Sequence, residues 1–397
     1  MSTRPSALTR AVVTCSLIAL AALALAACGT TTGGTANTST PSSGGGSGSA
    51  TTAVSASNPL KVAIMYDSGI NDGAWTWNWN QARLAVVQHF GSNVKFSYVE
   101  NVPQTPQSTQ VINNLVQAGN KLIINNSFGY HQYVAAAAKR YPDVKFITYG
   151  SSELAPNLSE MQVAVEQPFY VAGMTLAAAS KSGKIGVVAP LPVPQLINEI
   201  NAITLGARAI NPRATVKVIF TGSFFDEPKE RLAAQGLIAS GVDAMGALCA
   251  SPAVSQAAAS ANVPWISDDL QNAASYGSTT YLLSARLFFA PGMISAVQSV
   301  IGGTWHSQAS YGTWSSGSVG VTPSAPAYGA AFSKDVSNGD QAKINQAAQA
   351  LQHDSLKVYQ GPVTDQSGHV RVKAGATLGP VATQTITWFV QGVIGNA

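Results

Sequence analysis

The sequence predicts an α/β protein of two lobes, each a doubly wound, mostly parallel sheet. Three observations predict it. From Lys61 onward, short apolar runs alternate with stretches long enough for right-handed crossover helices. The runs are hydrophobic on consecutive residues, as strands covered on both faces are. After four such runs the rhythm breaks, passes through a longer segment and restarts, and four or so strands are one lobe's worth rather than half of a single wide sheet.

In the first series the strand candidates are KVAIMYD (61–67), KFSYVENV (95–102), KLIINNS (121–127) and KFITYG (145–150), with helices over 72–90, 106–119 and 131–140. The segment LSEMQVAVEQPFYVAGMTLAAASKSG (158–183) carries no clear period. KIGVVAP (184–190) opens the second series. A helix over 195–210, TVKVIFTG (215–222), a helix over 226–240, AMGALCA (244–250) and VPWISDD (263–269) follow. Beyond Thr279 come a strand candidate, TTYLLSAR (279–286), a helix near 291–301, and an irregular stretch from Trp305 to Val321 that is expected to cross back between the lobes. DQSG, inside VYQGPVTDQSGHVRVKAG (358–375), reads as a hairpin turn. The expected division is lobe 1 over 59–165 with part of about 285–325, and lobe 2 over 166–284 with part of about 326–397.

The amino terminus is a different kind of sequence. Arg4 and Arg10 precede the apolar run SLIALAALALAA (16–27), the charge and hydrophobic regions of an export signal. The run is shorter than the about 20 residues of a membrane span, and it stops at Leu25-Ala26-Ala27-Cys28, which resembles a bacterial lipobox. That resemblance implies cleavage of residues 1–27 and lipidation of Cys28, anchoring the mature chain to a membrane. Residues 28–58 are then the lipidated cysteine and a linker of Gly, Ser, Thr and Ala, too poor in apolar side chains to fold and flexible enough to act as a tether.

Composition excludes several functions. Losing Arg4 and Arg10 and no acid takes the formal charge from +4 to +2, which leaves no electrostatic footprint for nucleic acid. Cys15 lies in the signal and Cys28 takes the lipid, so Cys249, in GALCA, is unpaired and expected to be a buried small hydrophobe. His89, His131, His306, His353 and His369 are scattered, none at zinc-ligand spacing from another ligand, and no G-x-S-x-G elbow or P-loop is present. No metal and no cofactor is expected.

Open α/β sheets bind ligands beyond the carboxyl ends of their strands. The strand ends here carry Asp67-Ser68-Gly69-Ile70-Asn71-Asp72, Asn125-Asn126-Ser127-Phe128-Gly129, Gly222-Ser223-Phe224-Phe225-Asp226 and Ser267-Asp268-Asp269. Aromatic faces beside amides and carboxylates suit a flat, hydrogen-bonding ligand. The stretch INDGAWTWNWNQAR (70–83) holds three of the chain's seven tryptophans. With Asp72 capping a helix, Trp75 and Trp79 share a face while Trp77 lies about 200° from Trp75, so one packing face cannot hold all three. Trp79 is expected in the core, Trp77 over a lobe surface and Trp75 in the cleft, with Asn80 offering its amide to the edge of a heterocycle.

DSGINDGAW (67–75), GARAINP (206–212), GSFFDEPKE (222–230) and GPVTDQSGHVRVKAG (361–375), together with the lipobox, resemble the basic membrane protein family of substrate-binding lipoproteins, from Lys61 to about Gly375. The resemblance implies a two-lobed type I periplasmic-binding-protein fold. It also implies an extracytoplasmic protein that captures a purine nucleoside or base for an ABC importer, with a permease and an ATPase as partners. Residue by residue it puts Trp75 and Phe224 on the two faces of the purine and Asp269, or alternatively Asp268, on the ribose hydroxyls, with Asn71 and Asp72 in the first loop. The sequence departs from the family at Thr76, where nucleoside binders carry asparagine. It is closer to a subgroup whose ligand is a free base such as adenine, in which Phe128 and Asn80 take larger roles.

The expected function is therefore capture of a purine, base or nucleoside, between two lobes of a monomer. A sugar or other small-molecule binder of the same fold, and a ligand sensor reporting to a membrane kinase, are the alternatives. A nucleoside hydrolase built on Asp67, Asp72 and Asp269 is the enzyme reading, against which capping explains Asp72 without chemistry.

Overall fold

The computed structural model describes residues 53–150, 153–322 and 329–396. The expected export signal, Cys28 with its expected lipid, and the expected linker up to residue 52 lie outside the described residues. The fold is α/β with two mostly parallel sheets, as the sequence predicts.

The first sheet is built from β1 (Leu60–Met65), β2 (Val94–Val99), β3 (Leu122–Asn125), β4 (Lys145–Tyr149) and β5 (Leu158–Val163), linked by α1 (Trp75–Phe90), α2 (Ser108–Gln117) and α3 (His131–Arg140). Alternation along β1 sends Val62 and Ile64 to one helical layer and Ala63 and Met65 to the other, so all four are buried. α4 (Glu166–Ala179) leads into β6 (Lys184–Ala189), α5 (Pro194–Ile210), β7 (Thr215–Phe220), α6 (Glu227–Ala239), β8 (Ala244–Ala247), α7 (Ala253–Ser260), β9 (Trp265–Asp268) and β10 (Tyr281–Leu287). The chain then recrosses. α8 (Ala290–Ile301) packs on α1, and β11 (Ala309–Gly312) pairs with β5, completing a six-stranded sheet in the order β11-β5-β4-β3-β1-β2. β12 (Val319–Thr322) returns antiparallel to β10 in the second sheet.

α9 (Ala330–Asp335), α10 (Asn338–Gln352), the hairpin of β13 (Val363–Thr364) and β14 (Val370–Val372), α11 (Pro380–Gln384) and β15 (Val393–Ile394) complete the chain. β15 pairs with β7 and closes the seven-stranded order β12-β10-β9-β8-β6-β7-β15. The chain thus passes between the sheets three times, at β5 to α4, at β10 to α8, and at β11 to β12.

Local chemistry sets the helix ends. Asp226 accepts from the amide of Lys229 while Glu230 reaches back to the amide of Asp226, a reciprocal pair that starts α6. Ser337 accepts from the amide of Asp340 at the start of α10. α4 is buried almost all round, which is why its sequence shows no helical stripe. It meets α5 backbone to backbone: a Cβ on Gly173 would lie 2.0 Å from the carbonyl oxygen of Ile203, and one on Gly206 would lie 2.0 Å from that of Tyr170. The glycine that opens GARAINP, Gly206, is thus fixed by packing rather than by a turn.

Candidate functional site

The loop after β1 is held by Asp72. Its Oδ1 accepts from the amides of Ala74 (3.1 Å) and Trp77 (2.8 Å), and its Oδ2 from the amide of Thr76 (2.9 Å) and the hydroxyl of Ser68 (2.9 Å). Those four bonds fill the acceptor sites of one carboxylate. Asp72 therefore anchors the first turn of α1, and Trp75 is the first residue of that turn.

Trp75 is half-buried. Its Nε1 donates to the Asn126 carbonyl at 2.9 Å, and its ring stands edge-on to Tyr149 (5.2 Å), Phe289 (5.4 Å) and Trp79 (6.0 Å). Trp79 is fully buried and stacks on Phe289 at 3.9 Å. Trp77 turns to the other lobe, where the Arg286 guanidinium lies 5.7 Å from its ring centre. The 200° offset read from the sequence sends Trp77 away from Trp75 and Trp79, which share Tyr149 and Phe289 as neighbours.

Thr76 is buried and bonded to Ser68 (2.6 Å) and to Asp67 Oδ1 (3.1 Å), and the same Asp67 oxygen accepts from Asn126 at 2.9 Å. The residue at which the sequence departs from its family thus serves to stitch the loops after β1 and β3. Asn80 is buried on that side of α1 and accepts from Arg83 at 2.8 Å. Asn71 is exposed at the rim. Phe128 is half-exposed after β3, its ring 4.9 Å from that of His131. Phe224 and Phe225, after β7, are both more than half exposed, and neither makes a ring contact among the described residues.

Asp269 is buried at the end of β9 with φ +45°. Its Oδ1 accepts from the amide of Leu287 (2.9 Å) and lies 3.4 Å from Arg286 Nε, and its Oδ2 accepts from Asn78 at 3.0 Å. Asn78 also donates to the Leu287 carbonyl. This asparagine, one helical turn beyond Trp75, is the residue that reaches the second lobe, and the i, i+3 spacing from Trp75 was the signal for it. Two more bonds cross the gap: the amide of Gln271 donates to the Gly73 carbonyl at 2.7 Å, and the hydroxyl of Tyr149 donates to Gln195 Oε1 at 2.8 Å.

Gln195 in turn donates to Glu199 Oε1 at 2.8 Å. Burial pushes the Tyr149 phenol far up, and the negative charges of Glu199, Asp268, Asp269 and Glu160 add to the shift. Burial likewise raises Glu199, Asp268 and Asp269; Arg286 pulls both aspartates back, and the Leu287 amide and Asn78 add to that at Asp269. Glu199, Gln195, Tyr149, Arg286 and Phe289 lie outside the loops the sequence picks out, because they come from a helix interior and from strand and crossover positions. A separate cavity of about 210 Å³, lined by Met161, Phe288, Pro291 and Tyr311 among others, sits beside the crossing segments. Cys249 is buried and unpaired, and its thiol is raised by that burial.

Three groups of comparisons bear on this arrangement. Residues 60–352 match the family model of ABC transporter substrate-binding proteins of PnrA-like type. A purine-binding protein of Brucella abortus is 31% identical over 86% of this chain and 95% of its own. A Haloferax volcanii protein, provisionally named as an ABC transporter glucose-binding protein, is 30% identical over 76% of this chain and 74% of its own. Among solved structures, a solute-binding protein of an ABC transporter from Conexibacter woesei superposes with a TM-score of 0.61 at 24% identity, over 75% of this chain and 98% of its own. At that identity the likeness shows the fold alone.

Proposed function

The chain belongs to the PnrA-like family of ABC transporter substrate-binding proteins, and from that premise we propose that it captures a purine, a free base such as adenine or a nucleoside, in the gap between its two sheets. The observation that carries the reading is an aromatic wall tied to a buried acid: Trp75 and Tyr149 stand 5.2 Å apart, and the hydroxyl of that tyrosine is linked through Gln195 to Glu199. A planar nitrogen heterocycle offers a face to the first and N–H groups to the second. In this reading Trp75 stacks on one face of the ring and Phe224 on the other, with Phe128 and Asn71 at the rim. Asn80 and Asp72 keep Trp75 and its turn in place, and Asp269 joins the closed lobes.

Binding at a gap bridged from both sides favours the closed form, since contacts made to both lobes are absent when they separate. The closed form would be handed to a permease and ATPase on the extracytoplasmic face of a membrane, with the protein tethered there through Cys28. Changing Cys28→Ser is expected to release the protein from the membrane fraction.

Titration calorimetry with adenine, adenosine, guanosine, inosine and a panel of monosaccharides tests the reading. Tight binding of a purine is the expected result. The name of the Haloferax volcanii relative gives a sugar as the second reading, and tight binding of glucose with no response to any purine would establish it instead.

A further inference from the structure

Three buried carboxyl oxygens have no hydrogen-bond partner among the described residues, Glu160 Oε2, Glu199 Oε2 and Asp268 Oδ1, and the last two belong to the second lobe. They differ from Asp269, whose carboxyl is fully engaged by the Leu287 amide, Asn78 and Arg286. We propose that Glu199, with Asp268 beside it, accepts the N–H donors of the ligand, so that the site selects a purine bearing an amino group over the same ring without one. The inference rests on the purine reading above and adds to it a residue and a donor requirement.

Glu199 is fully buried on α5, in the body of the second lobe rather than in a strand-end loop. One of its oxygens is fixed: Oε1 accepts from Gln195, and Gln195 is itself held by the hydroxyl of Tyr149 from the first lobe. With Oε1 spent, the free oxygen is the one available to a ligand. Tyr149 packs edge-on to Trp75, which links the proposed stacking face to this carboxyl through Gln195. Arg286 is bonded to Asp269. The charged groups that bear on the Tyr149 phenol of β4 are thus Glu199 from α5, Asp268 at the end of β9, Asp269 just beyond it and Glu160 from β5, with Arg286 of β10 acting on the two aspartates.

A carboxyl oxygen that accepts nothing in a buried site is a mismatch that a ligand donor removes. An exocyclic amino group carries two N–H bonds on one nitrogen and can serve Glu199 and Asp268 together. A ring edge of bare nitrogens or a carbonyl can take the proton of a neutral acid but gives neither carboxyl an N–H to accept. Burial keeps Glu199 protonated in the empty site, so accepting an N–H shifts it to the carboxylate and its proton leaves to solvent.

The test compares adenine with unsubstituted purine, which has the same ring without the amino group, by calorimetry on the wild type, Glu199→Gln and Asp268→Asn. The wild type is expected to bind adenine at least tenfold more tightly than purine. Glu199→Gln is expected to cut adenine affinity at least tenfold while purine changes less than threefold. Adenine titrated into the wild type in phosphate and in Tris should show heats that differ by the proton released. Equal wild-type affinities for adenine and purine overturn the inference without any variant, as does an adenine to purine ratio that Glu199→Gln leaves unchanged. Failure of the wild type to bind either, with a monosaccharide bound instead, overturns the purine reading and this inference with it.

Discussion

Replacing Asp72 by alanine separates a capping role from direct contact with a ligand. The side chain accepts three backbone amides at the start of α1 and the hydroxyl of Ser68. Loss of a helix cap costs about 0.5–2 kcal/mol, and a hydrogen bond to a charged acceptor is worth about 1.5–3 kcal/mol net. The loop is only part-buried, so water recovers some of the loss, and a destabilisation of about 2–3 kcal/mol is expected. Asp72→Asn keeps acceptor capacity at Oδ1 and should cost about half as much. Urea unfolding of the ligand-free protein, followed by tryptophan fluorescence, measures this. Affinity should fall only as far as the first turn frays and lets Trp75 move. The reasoning fails if Asp72→Ala leaves unfolding within about 0.5 kcal/mol of wild type yet abolishes binding, because the carboxylate would then be spent on the ligand.

Trp75→Ala should cost stability as well as affinity, about 3 kcal/mol, since it strips edge contacts to three rings and the bond to Asn126. Trp75→Phe should keep affinity within a few-fold, and calorimetry alongside melting would show whether ring or indole matters. Gly206→Ala should force α5 from the Tyr170 carbonyl, costing about 1–3 kcal/mol or more; an unchanged melting temperature would mean the helices separate freely. Glu199 is raised from 4.5 to about 8, so between those pH values the folded state holds a proton that the unfolded state lacks. Stability should therefore fall as pH rises across that window, by up to about 1.4 kcal/mol per pH unit from this group. The pH slope of Glu199→Gln, measured by urea titration from pH 5 to 8.5, should be shallower than that of wild type. Equal slopes would place the proton elsewhere.

Much of the architecture was legible because a buried parallel strand prints a run of apolar residues, as β1, β3, β6 and β8 do, whereas Lys217 interrupts β7. β5 and α4 were not, since α4 is buried on every side and has no polar face to mark its turn. β11, four residues with no fully buried side chain, becomes a strand only by pairing with β5 about 150 positions earlier. At the site, the separation of Trp77 from the Trp75–Trp79 pair followed from helix geometry alone. Asn78 and Asn80 are two residues apart and face opposite sides of α1, and composition gave no reason to prefer the first. Glu199 stayed hidden because a carboxylate in an apolar helix interior reads as an exposed position until the other lobe is placed over it.

The return of α8 and β11 to the first sheet also bears on how the chain matures. Until some 310 residues have left the ribosome, β5 is an open edge and the α8 side of that sheet is bare. Neither half of the molecule is therefore an autonomous folding unit. A fragment ending near Ser180 should be sticky and short-lived, whereas supplying residues 285–322 on a second polypeptide could rescue it by strand complementation.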